Sequence, residues 1–233
     1  MGSNMNNAGL GYDVDIVMCI DATASMGPFL DLVKSQALNL YGDITAKMAA
    51  KDKHIDSLRV RVIAFRDYLA DGKDAMLVSG FVKLPEQASE FEMLVNSIKP
   101  IGGGDNPEDG LEALGYAIKS KWIPEAVNHK RRQIIVVWTD DGTHEVGYAK
   151  KAPNYPAKMA ASFAELTQWW GFGQYRGFMD NEAKRLLIYA PAKEYWTTIA
   201  DTWDNTLLFE SQAGNGLDKL TYDEILDAIA GSI

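Results

Sequence analysis

Residues 14–25 read VDIVMCIDATAS and combine an apolar strand pattern with a polar motif. Its first seven residues form a nearly continuous apolar run, which is typical of a strand buried on both faces of a parallel sheet. Directly after that strand, Asp21, Thr23 and Ser25 place a carboxylate and two hydroxyls at alternate positions. In an extended loop this spacing can aim all three side chains at one point.

The rest of the chain repeats the pattern of an apolar strand followed by a helix. Further strands are predicted at residues 58–65, 134–138 and 186–190, at 207–209, and as one strand or a pair within 75–84. Helical spacing is found around residues 30–41, 86–98, 111–118, 157–170, 195–203 and 222–229, and residues 171–180 predict a loop. This alternation predicts right-handed crossovers and a mostly parallel sheet between two layers of helices.

The helix around residues 111–118 has the clearest predicted start. Asn106 is a candidate N-cap, Pro107 suits the first helical position, and Glu108 and Asp109 would fall in the first turn. We therefore expect this helix to begin at Pro107.

Composition limits the possible classes of protein. A chain of 233 residues suits one α/β domain, predicted over residues 11–233, with residues 1–10 as a disordered N-terminus or cloning remnant. The formal charge of −9 disfavours a sequence-independent nucleic-acid site. No apolar run reaches the roughly 18 residues of a membrane helix, and no signal peptide is recognisable, so a cytoplasmic location is expected. The single cysteine, Cys19, is expected to be a small buried hydrophobe.

Two more loops bring polar side chains to the predicted carboxyl edge of the sheet, where open parallel sheets bind ligands. The strand at 134–138 ends in Thr139-Asp140-Asp141-Gly142, and a glycine loop at 101–108 presents Asp105. Each loop alone is more typical of an ordinary turn or cap than of a metal site. Carboxylates that converge from three loops repel one another unless a cation is present, and their hard oxygens suit Mg²⁺ or Mn²⁺.

These motifs, in this order, resemble the von Willebrand factor A domain and its metal-ion-dependent adhesion site. The family motif Asp-x-Ser-x-Ser stands here as Asp21-x-Thr23-x-Ser25, and Asp140 matches the Asp after a central strand. The family's Thr loop is replaced by Gly-Gly-Gly-Asp-x-Pro-Glu, a form associated with a bacterial and intracellular branch, so Asp105 would stand where the Thr normally does. Asp141 is an alternative to Asp140.

The resemblance covers nearly the whole chain beyond residue 11 and implies a Rossmann-like three-layer α/β/α sandwich. Its sheet would have six mainly parallel strands with one antiparallel edge strand. The implied metal ligands are Asp21, Thr23, Ser25, Asp105 and Asp140, holding Mg²⁺, or Mn²⁺ or Ca²⁺ in its place. The implied function is protein binding without catalysis, with a partner's acidic residue completing the coordination. The partner's identity and the oligomeric state are not readable.

The alternative from another class is a Mg²⁺-dependent phosphohydrolase or phosphotransferase that uses Asp21 as phosphoryl acceptor. Haloacid dehalogenase-like enzymes carry a second Asp two residues later, but Thr23 occupies that position and cannot act as acid and base near neutral pH. His144 follows the Asp140 loop, but no nucleophile motif accompanies it, and a hydrogen bond to nearby backbone is its favoured role. The sequence therefore favours a binding module over an enzyme.

Overall fold

The computed structural model describes residues 10–102, 107–124 and 130–233. The strands are β1 Leu10–Asp21, β2 Lys53–Phe65, β3 Met76–Val78, β4 Val82–Leu84, β5 Lys130–Trp138, β6 Gly171–Phe172, β7 Tyr175–Arg176, β8 Lys184–Ala190 and β9 Thr206–Glu210. The α-helices are α1 Gly27–Gln36, α2 Leu40–Ala49, α3 Ala88–Ser97, α4 Gly110–Ile118, α5 Phe163–Trp170, α6 Trp196–Thr202 and α7 Tyr222–Ser232. Strands and helices alternate along most of the chain, as the sequence predicts.

The main sheet has the order β3-β2-β1-β5-β8-β9, and β4 pairs with the same edge of β2 as β3 does. β1, β2, β5, β8 and β9 are parallel, whereas β3 and β4 run antiparallel to β2. In register, Asp21 lies beside Phe65, and Ile20 lies beside Trp138. The first three parallel strands therefore end together at one edge of the sheet. The predicted fold class is confirmed, with the antiparallel edge divided into two short strands.

The two faces of the sheet are covered by separate helix layers. Along β1, Ile16, Met18 and Ile20 pack with α1, α2, α3 and α7, while Val17 and Cys19 pack with α4, α5 and α6. Full burial on both faces explains the continuous apolar run of β1, since each large apolar side chain contributes about 1.5–3 kcal/mol. Burial also raises the pKa of the Cys19 thiol to about 12, so it packs as the inert hydrophobe that was predicted.

Several element boundaries differ from the predictions. The first helical segment is two helices, α1 and α2, and the predicted loop at residues 171–180 contains the β6–β7 hairpin. The helix predicted from residue 157 begins at Phe163, because the Ser162 hydroxyl accepts a hydrogen bond of 3.3 Å from the Glu165 N–H and caps it there. Among the described residues, no helix is both long and apolar enough to cross a membrane.

The prediction that α4 begins at Pro107 is wrong, and Asn106 lies outside the described residues. The helix begins at Gly110, so Glu108 and Asp109 precede it. The Glu108 carbonyl accepts a hydrogen bond of 2.9 Å from the His144 N–H, and the Asp109 N–H donates to the Arg66 carbonyl at 3.2 Å. These tertiary hydrogen bonds hold the two residues against neighbouring loops and override the local capping signal.

Candidate metal centre

The turn after β1 is built around the carboxylate of Asp21, which is fully buried. Its Oδ1 accepts hydrogen bonds from the Thr23 N–H at 2.9 Å and from the Thr23 hydroxyl at 2.7 Å. The Thr23 and Ser25 hydroxyl oxygens lie 3.3 Å apart. Asp, Thr and Ser at alternate positions therefore form one polar cluster, as the spacing predicts.

The loop after β5 joins this cluster from the neighbouring strand. The Ser25 hydroxyl donates to Oδ1 of Asp140 at 3.1 Å, and the Thr139 hydroxyl donates to Oδ2 of Asp21 at 2.7 Å. Two loops far apart in sequence are thus joined through the side chains expected to hold a cation. Asp105 lies outside the described residues.

Asp140 and Asp141 have different surroundings. Asp141 pairs with the ammonium group of Lys193, and its Oδ1 accepts the Gly142 N–H at 2.6 Å. Asp140 has no basic partner among the described residues, and its second oxygen accepts the Gly216 N–H at 2.9 Å. The charge of Asp141 is therefore compensated, whereas Asp140 remains available to a cation.

The loop between β9 and α7 closes the site and requires glycine at residue 216. Gly214 donates to the Asp140 carbonyl at 2.8 Å. Gly216 has φ +58°, and a Cβ added there would lie 2.2 Å from the Ser25 carbonyl oxygen. At Gly214, φ is +72°, but an added Cβ would meet nothing within 4 Å.

We expect Gly216→Ala to lower the free energy of unfolding more than Gly214→Ala does. Both substitutions put alanine in the left-handed region at about 1–2 kcal/mol, and only Gly216→Ala adds a collision with the backbone of the Ser25 turn. Urea unfolding of the two variants beside the parent measures the difference. Equal losses would show that the loop does not pack on the Ser25 turn.

Glu108, which the capping pattern predicts in the first turn of α4, instead lines the cavity beside Asp21. Its side chain is 1% exposed, and both carboxylate oxygens lack a hydrogen-bond partner among the described residues. It lines a cavity of about 190 Å³ together with Asp21, Thr23, Ser25 and Asp140. The sequence signal for this role is its position directly after Pro107 in the glycine loop, which competes with the capping pattern that predicts a helical first turn.

The electrostatics of the cavity are those of uncompensated acidic groups. Burial raises the pKa of Glu108 to about 9, with further contributions from neighbouring carboxylates, Asp21 first among them. Burial also raises the pKa of Asp21 to about 6, against the lowering effect of its hydrogen bonds from Thr23 and Thr139. At neutral pH Glu108 therefore holds a proton that a positive charge in the cavity would displace, whereas Asp21 is mostly ionised.

Arg66 fastens the loops around the cavity rather than neutralising them. Its Nε donates to the carbonyls of Ala22 at 2.8 Å and Ile101 at 2.9 Å. Its other nitrogens donate to the carbonyls of Asp74 and Lys99. Burial lowers the pKa of this guanidinium, and Asp71 is the acidic neighbour that raises it most. The loop after β1 and the start of the glycine loop are thus tied to one side chain at the end of β2.

A second group of buried acids lies beside the cavity and supports its walls. Asp109 accepts the Tyr68 N–H at 2.7 Å, and Glu112 accepts the Gly147 N–H at 2.9 Å. The His144 ring nitrogen lies 2.9 Å from Asp67 Oδ2, so its partner is a carboxylate and the predicted backbone partner is wrong. These contacts hold the loops after β2 and β5 against α4.

The donor set fits a hard divalent cation. Among the described residues, no three His, Cys, Asp or Glu side chains form a metal-binding group by themselves. The cavity instead combines carboxylates with the hydroxyls of Thr23 and Ser25, and hard cations accept such mixed oxygen donors together with water. A buried carboxylate with both oxygens unsatisfied is rare in native proteins and requires a specific explanation.

Comparison with known sequences finds a distant relative. No protein-family model matches the sequence. The chain is 24% identical over 144 residues to the alpha-protein kinase vwkA of Dictyostelium discoideum, a match that covers 61% of this chain and 21% of the kinase. The match therefore spans about a fifth of the length of that relative.

Three solved structures resemble the whole chain at low identity. The vWF domain of the type V pili tip protein Mfa5 from Porphyromonas gingivalis has a TM-score of 0.50 and 14% identity, covering 95% of this chain and 96% of that domain. The pilus adhesin SpaC from Lactobacillus rhamnosus GG has a TM-score of 0.51 and 12% identity, covering 94% of this chain and 30% of the adhesin. Proximal thread matrix protein 1 from the mussel byssus has a TM-score of 0.50 and 9% identity, covering 96% of this chain and 49% of that protein.

The topology and these neighbours define the class of the domain. A mostly parallel sheet between two helix layers, similar over its whole length to a vWF domain, is a Rossmann-like fold of the von Willebrand factor A type. At these identities the likeness concerns the fold alone, since one fold serves many functions and the function depends on the site.

Proposed function

We propose that this chain is a cation-dependent protein-binding module of the von Willebrand factor A type. Asp21, Thr23, Ser25, Asp140 and Glu108 would hold the cation directly or through water. Mg²⁺ is the first candidate, with Mn²⁺ and Ca²⁺ as alternatives. The glycine loop adds Asp105 as a further donor, which would place the chain in the branch with Gly-Gly-Gly-Asp-x-Pro-Glu as its second metal loop.

The observation that carries this proposal is the carboxylate of Glu108. An isolated buried carboxylate without a hydrogen bond costs several kcal/mol, so a folded chain retains one only where something compensates it. Its cavity is shared with the two acids at the ends of β1 and β5. A divalent cation would compensate the charges of all three carboxylates at once, whereas a proton on Glu108 removes its charge but leaves its oxygens without hydrogen-bond partners among the described residues.

The same site suits recognition of an acidic group on a partner. A bound divalent cation supplies an electrophilic centre on which a partner's carboxylate can replace water. Ser25 is exposed, whereas Asp21 and Glu108 are buried, so the cavity opens on the hydroxyl side of the cluster. The additional acids make the cation less electrophilic, and we expect the partner's carboxylate to bind more weakly than the metal.

The protein surroundings favour binding over phosphoryl transfer. Both oxygens of Asp21 accept hydrogen bonds, and the carboxylate has no exposed surface. A phosphoryl acceptor needs one oxygen free to attack an incoming phosphorus. Thr23, two residues after Asp21, donates a hydrogen bond from its hydroxyl to Asp21 and is held as part of the turn.

An array of paired peptides tests this function. In each pair a central Asp or Glu is replaced by Asn or Gln, and binding is recorded in Mg²⁺ and in EDTA. We expect binders that require both the acidic residue and Mg²⁺, and that fail to bind Asp21→Asn protein. Binding that persists in EDTA or tolerates the amide would show that partners use another surface.

A further inference from the structure

β9 is an open edge of the main sheet among the described residues. It is the last strand in the sheet order, it pairs only with β8, and α6 covers one of its faces. The opposite edge is different, because β3 and β4 are separated by residues 79–81 and offer no continuous strand with which another strand could pair. β9 runs uninterrupted from Thr206 to Glu210 and contains no lysine, proline or bulge of the kind that protects natural edges.

The backbone of β9 presents unpaired groups in a fixed order. The Asn205 carbonyl accepts the Leu186 N–H, and the Ser211 N–H donates to the Ala190 carbonyl. Residues with odd numbers therefore point their N–H and C=O toward β8. In a parallel ladder the alternate residues point the other way. Thr206, Leu208 and Glu210 consequently direct their N–H and C=O groups toward the open edge.

The side chains beside this edge form an exposed apolar surface. Leu207 is 56% exposed and Phe209 is 36% exposed, and both lie on the face opposite Leu208. The Phe209 ring stacks on Tyr189 with 4.6 Å between centroids. Next to them a cavity of about 740 Å³ lies between β9 and α7, so among the described residues α7 does not pack tightly on this part of the strand.

We propose that β9 pairs antiparallel with β9 of a second copy of this chain, with the two-fold axis at Leu208. In this register Leu208 faces Leu208 of the other copy, and Thr206 faces Glu210. Every outward N–H and C=O of the strand then has a partner. The pairing joins two sheets into one and leaves only the interrupted β3–β4 edges at its ends, so the assembly closes as a dimer.

The side chains of β9 fit this register and make the strand self-complementary. Leu207 falls opposite Phe209 of the other copy, in the close pair position where cross-strand apolar contacts are strongest. Glu210 is the one ionisable residue of the strand and falls opposite Thr206, so no like charges meet. The two exposed apolar surfaces become neighbours and cover each other's edges. This fit to itself favours a second copy over a strand from another protein.

Glu210→Pro and Glu210→Ala form a matched pair that tests the dimer. Proline removes the outward N–H of residue 210 without a loss of pairing to β8, whereas alanine keeps it. We expect sedimentation equilibrium to show a concentration-dependent dimer for the parent and for Glu210→Ala, and a monomer for Glu210→Pro with an unchanged circular dichroism spectrum. A parent that stays monomeric up to several hundred micromolar, or a Glu210→Pro protein that dimerises like the parent, overturns the proposal.

Cysteine cross-linking tests the register itself. Cys19 is the only native cysteine and is fully buried, so it does not interfere. The double variant Leu207→Cys/Phe209→Cys should form a disulfide-linked dimer under mild oxidation, and either single variant should cross-link far less, because each cysteine then lacks its opposite partner. A dimeric double variant that does not cross-link would contradict this register. Cation titration of Glu210→Pro separates this proposal from the metal site, which it should leave unchanged.

Discussion

Arg66→Met is expected to lower the free energy of unfolding by on the order of 3–5 kcal/mol. Arg66 is 5% exposed, and its guanidinium donates to the carbonyls of Ala22, Ile101, Asp74 and Lys99. Methionine preserves most of the side-chain volume but removes every donor, so the four carbonyls would lose their hydrogen bonds to a charged group. Urea denaturation followed by circular dichroism measures the loss.

Arg185→Met is the matched control for this prediction. Arg185 also donates to backbone carbonyls, those of Glu182 and Lys184, but these belong to a local turn near solvent. We expect its substitution to cost less than about 1 kcal/mol, as is usual near a surface. If Arg66→Met were equally mild, the loops around the cavity would be held by other contacts, and Arg66 would have no organising role.

The fold could be predicted from the sequence because its strands are buried on both faces. Continuous apolar runs such as the one ending at Ile20 have no other stable environment in a chain of this size, and their alternation with helices leaves few topologies. The edges of elements were harder to predict. The start of α4 depends on hydrogen bonds from the Glu108 carbonyl and the Asp109 N–H to residues distant in sequence, which no local capping pattern records.

The site could be predicted in part for the same reason. Asp21, Thr23, Ser25 and Asp140 lie at strand ends, so a correct sheet order brings them together. Glu108 could not be placed, because its acidic side chain near Pro107 has two local interpretations, and only the parallel bridge to Thr143 decides between them. The metal itself remains a prediction from the donor set.

Asp21→Asn is expected to weaken Mg²⁺ binding by at least about a hundredfold, since even partners that only orient a ligand often contribute 10–100-fold to affinity. The amide oxygen can still accept the hydrogen bonds from Thr23, so the turn should persist. Glu108→Gln should weaken binding as well, while it raises the stability of the metal-free protein at neutral pH by about 1–2 kcal/mol, because burial raises the pKa of Glu108 to about 9 and the variant no longer has to take up a proton on folding. This opposite effect on stability identifies Glu108 as a group kept for a ligand.

Isothermal titration of EDTA-treated protein with Mg²⁺, run on the parent, Asp21→Asn and Asp141→Asn, measures whether the cavity beside Asp21 binds a cation. Asp141 lines the same cavity but is already paired with Lys193, which makes it the matched control. We predict one cation per chain for the parent and for Asp141→Asn, and no measurable binding for Asp21→Asn. No binding in the parent, or equal binding in Asp21→Asn, would contradict the metal centre and the function built on it.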